Sequence, residues 1–272
     1  MNALYSAIGV TKQSVHKILD RSNRKRDERL QLLNMVGIIR QDHPTMGCRD
    51  MYYKLMPDFI GRDSFELMCK ELGLNSKKTR NMRRTTDSSG VKRFENLTEN
   101  VKADRLNKIW TSDITYYELN GRFYYITFII DACSSRIVGY STSNKLSTEQ
   151  TTLPALRMAI KTRTYTDLTG LIFHSDGGGQ YYDKEFLKLT AKNKIKNSMC
   201  IYPWDNGKAE RMNGVIKNNY LKYKRIYNYE DLIREVDHAV QMYNYEKPHI
   251  RLKRQTPIKY ENKMILLQQQ TS

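Results

Sequence analysis

The chain reads as a mixed α/β domain preceded by a small all-helical region. Three observations predict this. From about residue 106, short runs rich in β-branched and aromatic residues alternate with stretches of helical apolar spacing. Before residue 76 only helical spacing is found. Between the two, residues 77–93 hold seven Lys or Arg against one Asp and no apolar period, as a linker does.

In the first region, Leu4 and Ile8 lie four apart and Gly9 follows. Thr11 is then a candidate cap for a helix carrying Val15, Ile18 and Leu19. The pair predicts a partial helix-turn-helix over 1–24, short of the supporting helix that normally precedes such a pair; a plain helical hairpin is the alternative. The charge run Arg21–Arg29 reads as solvated. A separate, longer helix is expected after it, through Leu30, Leu33 and Val36 to Ile38 and Ile39. Beyond His43-Pro44, short helices at Arg49–Leu55 and Ser64–Leu72 complete a small helical domain over 25–76. The basic linker, 77–102, is expected to lie along a phosphate backbone, with Lys77, Lys78, Arg80, Arg83 and Arg84 as its DNA contacts; a merely solvated linker is the alternative.

The α/β domain is expected over 103–225. The alternating segment 107–120 (NKIWTSDITYYELN) predicts a strand, and Arg122–Asp131, apolar on both faces, a central one. Arg136–Ser143 is a third strand. An amphipathic helix is predicted over Thr148–Arg163, then a strand at Gly170–Asp176, a helix at Lys184–Lys192, a strand at Ile195–Met199 and a long helix from about Gly207. A helical tail, 226–272, is expected to pack on this core.

With 39% hydrophobic residues a packed core is expected, and the net charge of +17 is carried by both halves of the chain. That excludes a basic tail on a neutral domain and makes nucleic acid the first candidate partner. The longest apolar run, near Phe123–Ile130, is too short to span a bilayer, and the first residues lack a secretory pattern. The expectation is a cytoplasmic, nucleoid-associated protein without a membrane partner. Cys48, Cys69, Cys133 and Cys200 are isolated, in neither disulfide-framework nor zinc spacing, so a metal would need oxygen ligands.

Three acids stand out. Asp113 sits inside an otherwise apolar strand, where an unpaired carboxylate is costly. Asp176 ends a strand and precedes Gly177-Gly178-Gly179, which would let another backbone come close. Glu210 lies in the first turns of a helix. Singly, each has a structural explanation: a strand-edge acid, a turn Asp, or an acid favoured by the helix dipole. At 100° per residue, however, Glu210, Asn213, Gly214 and Lys217 share one face, with Arg211 beside it and Met212, Val215 and Ile216 opposite. An acid to hold a cation beside donors for a phosphate suits phosphodiester chemistry.

The segments WTSDITYY (110–117), HSDGGGQYYDKEF (174–186), NGKAERMNGVIKNNYL (206–221) and YNYEKPHIRLKRQTP (243–257) occur in that order. Together they resemble the catalytic reading-frame (orfB) product of bacterial transposases of insertion sequence family three. DHPTMGCRDMYYKL, within 29–75, is similar to the small helical domain preceding their core. The resemblance implies an RNase H-like integrase core in which Asp113, Asp176 and Glu210 are catalytic and bind Mg²⁺, two ions, with Mn²⁺ able to substitute. It makes Asp131, a rival acid closing the second strand, a supporting position. His174, on the strand face of Asp176, is read as a satisfied core histidine or as one that steadies the site, and Arg211, Asn213 and Lys217 would face DNA. Tyr243-Asn244 and Pro248-His249 would pack the tail on the core, with Arg251, Lys253 and Arg254 toward DNA. The chain has 33 residues between Asp176 and Glu210 where the family usually has thirty-five, the loop Cys200–Asn206 being shorter.

The implied activity is nicking at the ends of a mobile element and joining by the freed 3′-hydroxyl, through a one-strand bridge and a circular intermediate. The implied partners are double-stranded DNA, at least one further copy of the chain, and an upstream-frame DNA-binding protein that is fused to it or acts with it. Binding by this chain alone should be strong, weakly sequence-selective and steeply salt-dependent. A nuclease that cuts without joining and a non-catalytic DNA-binding regulator are the alternatives.

Overall fold

Helix capping and one apolar stripe organise the amino-terminal part of the computed structural model, which describes residues 9, 11–76, 94–164, 166–200 and 203–270. The chain divides into two compact units, Met1–Lys77 and Lys78–Ser272. Among the described residues no helix is long and apolar enough to cross a membrane.

In the first unit, α1 (Lys12–Asp42) is one unbroken helix of 31 residues, where the sequence suggested two helices around a solvated run. No Gly or Pro stands between Lys12 and Val36 to stop it. Within the run, Arg24 Nε donates to Glu28 at 3.1 Å, one turn on. Thr11 caps the helix, its Oγ1 accepting from Ser14 N at 3.1 Å. Only the second half buries a stripe, Leu32, Val36 and Ile39. It packs with Met51 of α2 (Cys48–Leu55) and with Phe65 and Cys69 of α3 (Arg62–Glu71). Leu30, expected on that stripe, is 51% exposed, because at 100° per residue it lies far from Leu32 around the helix. Of the expected helix-turn-helix, residues 1–8 and 10 lie outside the described residues.

The second unit is built on one sheet of order β3-β2-β1-β4-β5. Its strands are β1 (Ile109–Leu119), β2 (Arg122–Asp131), β3 (Ile137–Ser143), β4 (Ile172–Ser175) and β5 (Lys196–Met199). The first three form an antiparallel meander, and β4 and β5 add in parallel. The β1–β2 connection is two residues, Asn120 and Gly121, both at positive φ, as a type I′ turn requires. Helices α4 (Thr152–Thr162) and α5 (Lys184–Lys192) serve one face of the sheet. The other takes α6 (Gly207–Asn219) and α7 (Tyr229–Gln241), and α8 (Pro257–Gln270) is the last helix among the described residues.

The two-sided apolar run of β2 explains this layering. Ile126, Phe128 and Ile130 join Met212 and Ile216 of α6 and Leu232 and Val236 of α7. Ile129 joins Trp110 of β1 with Ala155, Leu156 and Ala159 of α4. The closest approach is at Gly139 of β3, where an added Cβ would sit 2.8 Å from Ala159 N and 2.9 Å from Ala159 Cβ. Helix α4 starts at Thr152, four residues later than expected. Residues 147–151 instead make a turn, with Thr151 Oγ1 donating to Ser147 O at 2.6 Å, and Pro154 stands in the first turn that follows, where its missing N–H costs nothing.

The carboxyl end of the expected linker belongs to this unit: Leu97 N donates to Ser198 Oγ of β5 at 2.9 Å, and Phe94 stacks on Tyr182 at 5.4 Å. At the other margin, Glu261 of α8 is 1% exposed. It accepts from Arg163, from Arg136 Nη1 at 2.6 Å and from Ser134 Oγ at 2.7 Å. Burial alone would raise its carboxyl, but Arg163 and Arg136 hold it below the usual carboxylate range.

Two stability changes are expected. Gly139→Ala forces β3 and α4 apart and costs about 1–3 kcal/mol, read as a lower Tm in thermal unfolding. Glu261→Ala strands Arg163 in the interior and costs about 3–5 kcal/mol by the same measurement.

Candidate active site

The pairing of β1 with β4 sets the site. Ile109, Trp110 and Thr111 stand opposite Ile172, Phe173 and His174 in parallel register. Carried two residues further, that register brings Asp113 level with Asp176, which leaves the end of β4 just after Ser175. Neighbouring strands are about 4.8 Å apart, so the two carboxylates arise at adjacent positions of the sheet.

Helix α6 lies along the same stretch of β1, fastened by polar side chains. Asn206 Nδ2 donates to Ser112 O at 2.8 Å, and Asn213 Nδ2 to Asp113 Oδ2 at 2.7 Å. Lys217 Nζ donates to Thr115 Oγ1 at 3.3 Å and to Tyr116 O. Glu210 is one turn before Asn213 and exposed, as is Arg211. The face of α6 expected to be turned wholly outward is therefore divided. Asn213 is 6% exposed and Lys217 half-buried, because the polar residues of β1 need hydrogen-bond partners. The short loop does not disturb this: Pro203–Asn206 forms a 3₁₀ turn that leads directly into α6.

The two aspartates feel their acidic neighbours. Burial first, then the charges of Asp176 and Glu210, push Asp113 up to about 7, against the opposing hydrogen bond from Asn213. Burial and Glu210 also raise Asp176, while Gly178 N, donating to its Oδ1 at 3.2 Å, opposes the rise. A shared cation would relieve that repulsion, and an all-oxygen donor set suits Mg²⁺. Among the described residues, however, no three His, Cys, Asp or Glu side chains are grouped so as to hold one metal ion as they stand.

The other residues singled out in the sequence fall as follows. Asp131 is fully buried and accepts from Asn107 N (2.7 Å), Cys133 N (2.8 Å) and Ser134 N (3.1 Å), closing the turn after β2. His174 is also fully buried, its Nδ1 2.9 Å from Ser198 Oγ, and burial pushes it down to about 4, so it is neutral at pH 7. At the glycines after Asp176 the near neighbours are side chains, and around Gly179 the space is open. A Cβ at Gly177 would meet the Met199 methyl at 2.8 Å, and one at Gly178 the Asp176 carboxylate at 3.1 Å. Lys77, Lys78, Arg80, Arg83 and Arg84 lie outside the described residues. Sequence reasoning missed Asn206 and the tyrosines of Gln180-Tyr181-Tyr182. Ser112 Oγ donates to Phe128 O and is 2.9 Å from the buried Tyr181 hydroxyl, and Tyr182 Oη donates to Asp176 O at 3.1 Å. Two tyrosines directly after a glycine turn were the available signal.

The raised Asp113 has a stability consequence. The native carboxyl holds its proton more tightly than the unfolded one, so in chelator the protein loses stability as pH rises from about 4 toward 7. Asp113→Asn removes that loss, and Tm at pH 8 should rise by about 2–4 °C, with a flatter pH profile in thermal melts.

An integrase core domain model matches residues 103–202, and a second model of that description matches 192–257. A protein of insertion element IS600 from Shigella sonnei, described as an uncharacterized 31 kDa protein, is 31% identical over 253 residues, spanning 89% of this chain and 90% of its own length. The transposase for insertion sequence element IS629, also from Shigella sonnei, is 26% identical over 194 residues, 68% of this chain and 62% of its own. Among solved structures, the HTLV-2 integrase catalytic core domain in complex with magnesium aligns at 23% identity with a TM-score of 0.47, covering 59% of this chain and 99% of that one. With near-full-length similarity to an insertion-element protein and an integrase core over the α/β unit, the chain belongs to the transposases of insertion sequence family three.

Proposed function

We propose that this transposase nicks DNA at the ends of its element and joins the freed 3′-hydroxyl to a second phosphodiester at the same site, with Asp113, Asp176 and Glu210 as the catalytic, cation-holding residues. One observation carries the reading: the β1–β4 register sets Asp113 level with Asp176, and α6 brings Glu210 close enough for its charge to act on both. The chemistry that two Mg²⁺ ions supply when bound to such carboxylates is activation of the attacking oxygen and stabilisation of the leaving one. The all-oxygen donor set supports that fit.

The remaining residues orient and bind. Asn213 fixes the Asp113 carboxylate through its 2.7 Å hydrogen bond, so its part in DNA binding is through that acid. Gly178 N does the same for Asp176. Arg211, exposed beside Glu210, and Lys217, at the end of the same helix, meet phosphates of the bound strand. His174, neutral in the interior, and Asp131, engaged by three backbone N–H groups, support the strand ends. The basic segment from Lys77 to Arg84 lies along the DNA backbone, and a second copy of the chain holds the second end, since each chain offers one set of acids.

The test incubates the full chain with labelled element-end DNA and Mg²⁺ or Mn²⁺, beside Glu210→Gln. Nicked and joined products are expected from the wild type. The variant should lose both by at least about 100-fold while binding DNA within about twofold of wild type. Nicking without joining would mark a nuclease, and binding without either product a regulator.

A further inference from the structure

Beyond the acids, one surface combines the two chemistries that grip a nucleic-acid backbone. Between α6 and α7 the chain reads Lys222-Tyr223-Lys224-Arg225-Ile226-Tyr227. Tyr223 is 46% and Tyr227 67% exposed, and Lys222 and Arg225 are exposed with them. Lys224 turns aside to Glu235 at 3.8 Å. Among the described residues Lys222 and Arg225 make no ion pair.

The strip is not a loose loop. On one side Tyr220 and Leu221 are sunk in the core at 2% and 0% exposure. On the other, Tyr227 N donates to Asp231 Oδ2 at 3.0 Å, and Tyr227 O accepts from Asn120 Nδ2 at 3.1 Å. That second bond pins the strip to the tip of the β1–β2 hairpin, where Arg122 is also exposed. A backbone held at both ends presents its rings and cations at small entropic cost on binding.

The pinning also gives a distance. Asn120 lies seven residues beyond Asp113 on an extended strand, about 23 Å at about 3.3 Å per residue. On duplex DNA, at about 3.4 Å per base pair, this is about 7 base pairs.

We propose that Lys222, Tyr223, Arg225 and Tyr227 form a second DNA grip, holding the duplex backbone about 7 base pairs from the scissile phosphate. The proposal rests on the reading of Asp113, Asp176 and Glu210 as the cutting site. Lys222 and Arg225 neutralise phosphates, while the tyrosine hydroxyls donate to phosphate oxygens and the rings cover deoxyribose. Contacts of this kind orient a duplex without reading its bases. Two exposed tyrosines interleaved with cations that make no ion pair among the described residues match a polyanion with apolar sugar faces better than they match water.

The test compares the wild type with Lys222→Gln/Arg225→Gln and Tyr223→Ala/Tyr227→Ala, all as full chains. Element-end duplexes extend either about 4 or about 12 base pairs to each side of the cut. Wild type should bind the longer duplex about tenfold more tightly, and both variants should lose most of that preference. For the cation variant, the slope of log affinity against log salt should fall by about 2. Thermal melts at the wild-type Tm show that the exposed substitutions leave the fold intact. Unchanged affinity, salt slope and length preference in both variants would overturn the grip, as would equal weakening on the two lengths. Glu210→Gln nicking assays in parallel separate the two readings: a dead Glu210→Gln with unaffected strip variants sinks only the grip. A wild type that neither binds nor nicks sinks both.

Discussion

The candidate site depends on β1 having two different neighbours. On one side it pairs antiparallel with β2, a partner reached through a two-residue turn; on the other it pairs parallel with β4, a partner more than fifty residues away in sequence. The first pairing puts Asp113 opposite Phe128, with its side chain toward α6. The second sets it level with Asp176. Side chains alternate across a strand, so a one-residue slip in either ladder would send Asp113 to the face covered by α4. Register is thus the quantity on which the meeting of the two acids rests, and in the β1–β2 ladder the two-residue Asn120-Gly121 turn fixes it.

Clustering carboxylates works against folding, and the surroundings show how this is offset. Asp113 and Asp176 are each raised by burial and by neighbouring charge, yet each accepts a directed hydrogen bond, from Asn213 and from Gly178 N. Helix α6 is held from both sides: Met212 and Ile216 enter the apolar core, while Asn206, Asn213 and Lys217 fasten it to β1. The helix that carries Glu210 therefore cannot rotate without breaking polar bonds on one side and uncovering apolar surface on the other. Below it, the buried tyrosine Tyr181 bonds Ser112, the neighbour of Asp113, so the strand is braced on its opposite face as well.

A second buried polar cluster lies at the far margin of the unit. Glu261 joins Arg163 from the end of α4, Arg136 from the start of β3 and Ser134 from the turn between β2 and β3. Asp131 closes that turn through Cys133 N and Ser134 N, accepts from Asn107 N as well, and lies 4.0 Å from Arg163. Such a group is weak evidence for added stability, since desolvation offsets much of the attraction. Its effect is geometric: only one placement of α8 satisfies all the partners.

Much of this was legible in the sequence, because period and punctuation are local. The strand at Arg122–Asp131, the strand read at Arg136–Ser143 and found from Ile137, the helix Lys184–Lys192 and the start of α6 at Gly207 follow from alternation, helical spacing and glycine. The three acids could be singled out because a carboxylate is costly within an apolar strand and favoured at a helix start. Most of what was not legible depended on distant partners. That α1 runs on through Arg21–Arg29 depends on the absence of any breaker, which a charge run disguises. Whether Asn213 faces solvent or β1 cannot be told from helical spacing, because the spacing marks a face but not what covers it. The role of Glu261, one acid in an ordinary helix, is set by two arginines about a hundred residues away in sequence. Sequence alone determined which segments are strands and helices and which acids are out of place, since those follow from short-range sterics and the cost of burying charge. Tertiary structure alone decided which acids meet and which polar groups hold them, because register and helix placement are settled by contacts between residues remote in the chain.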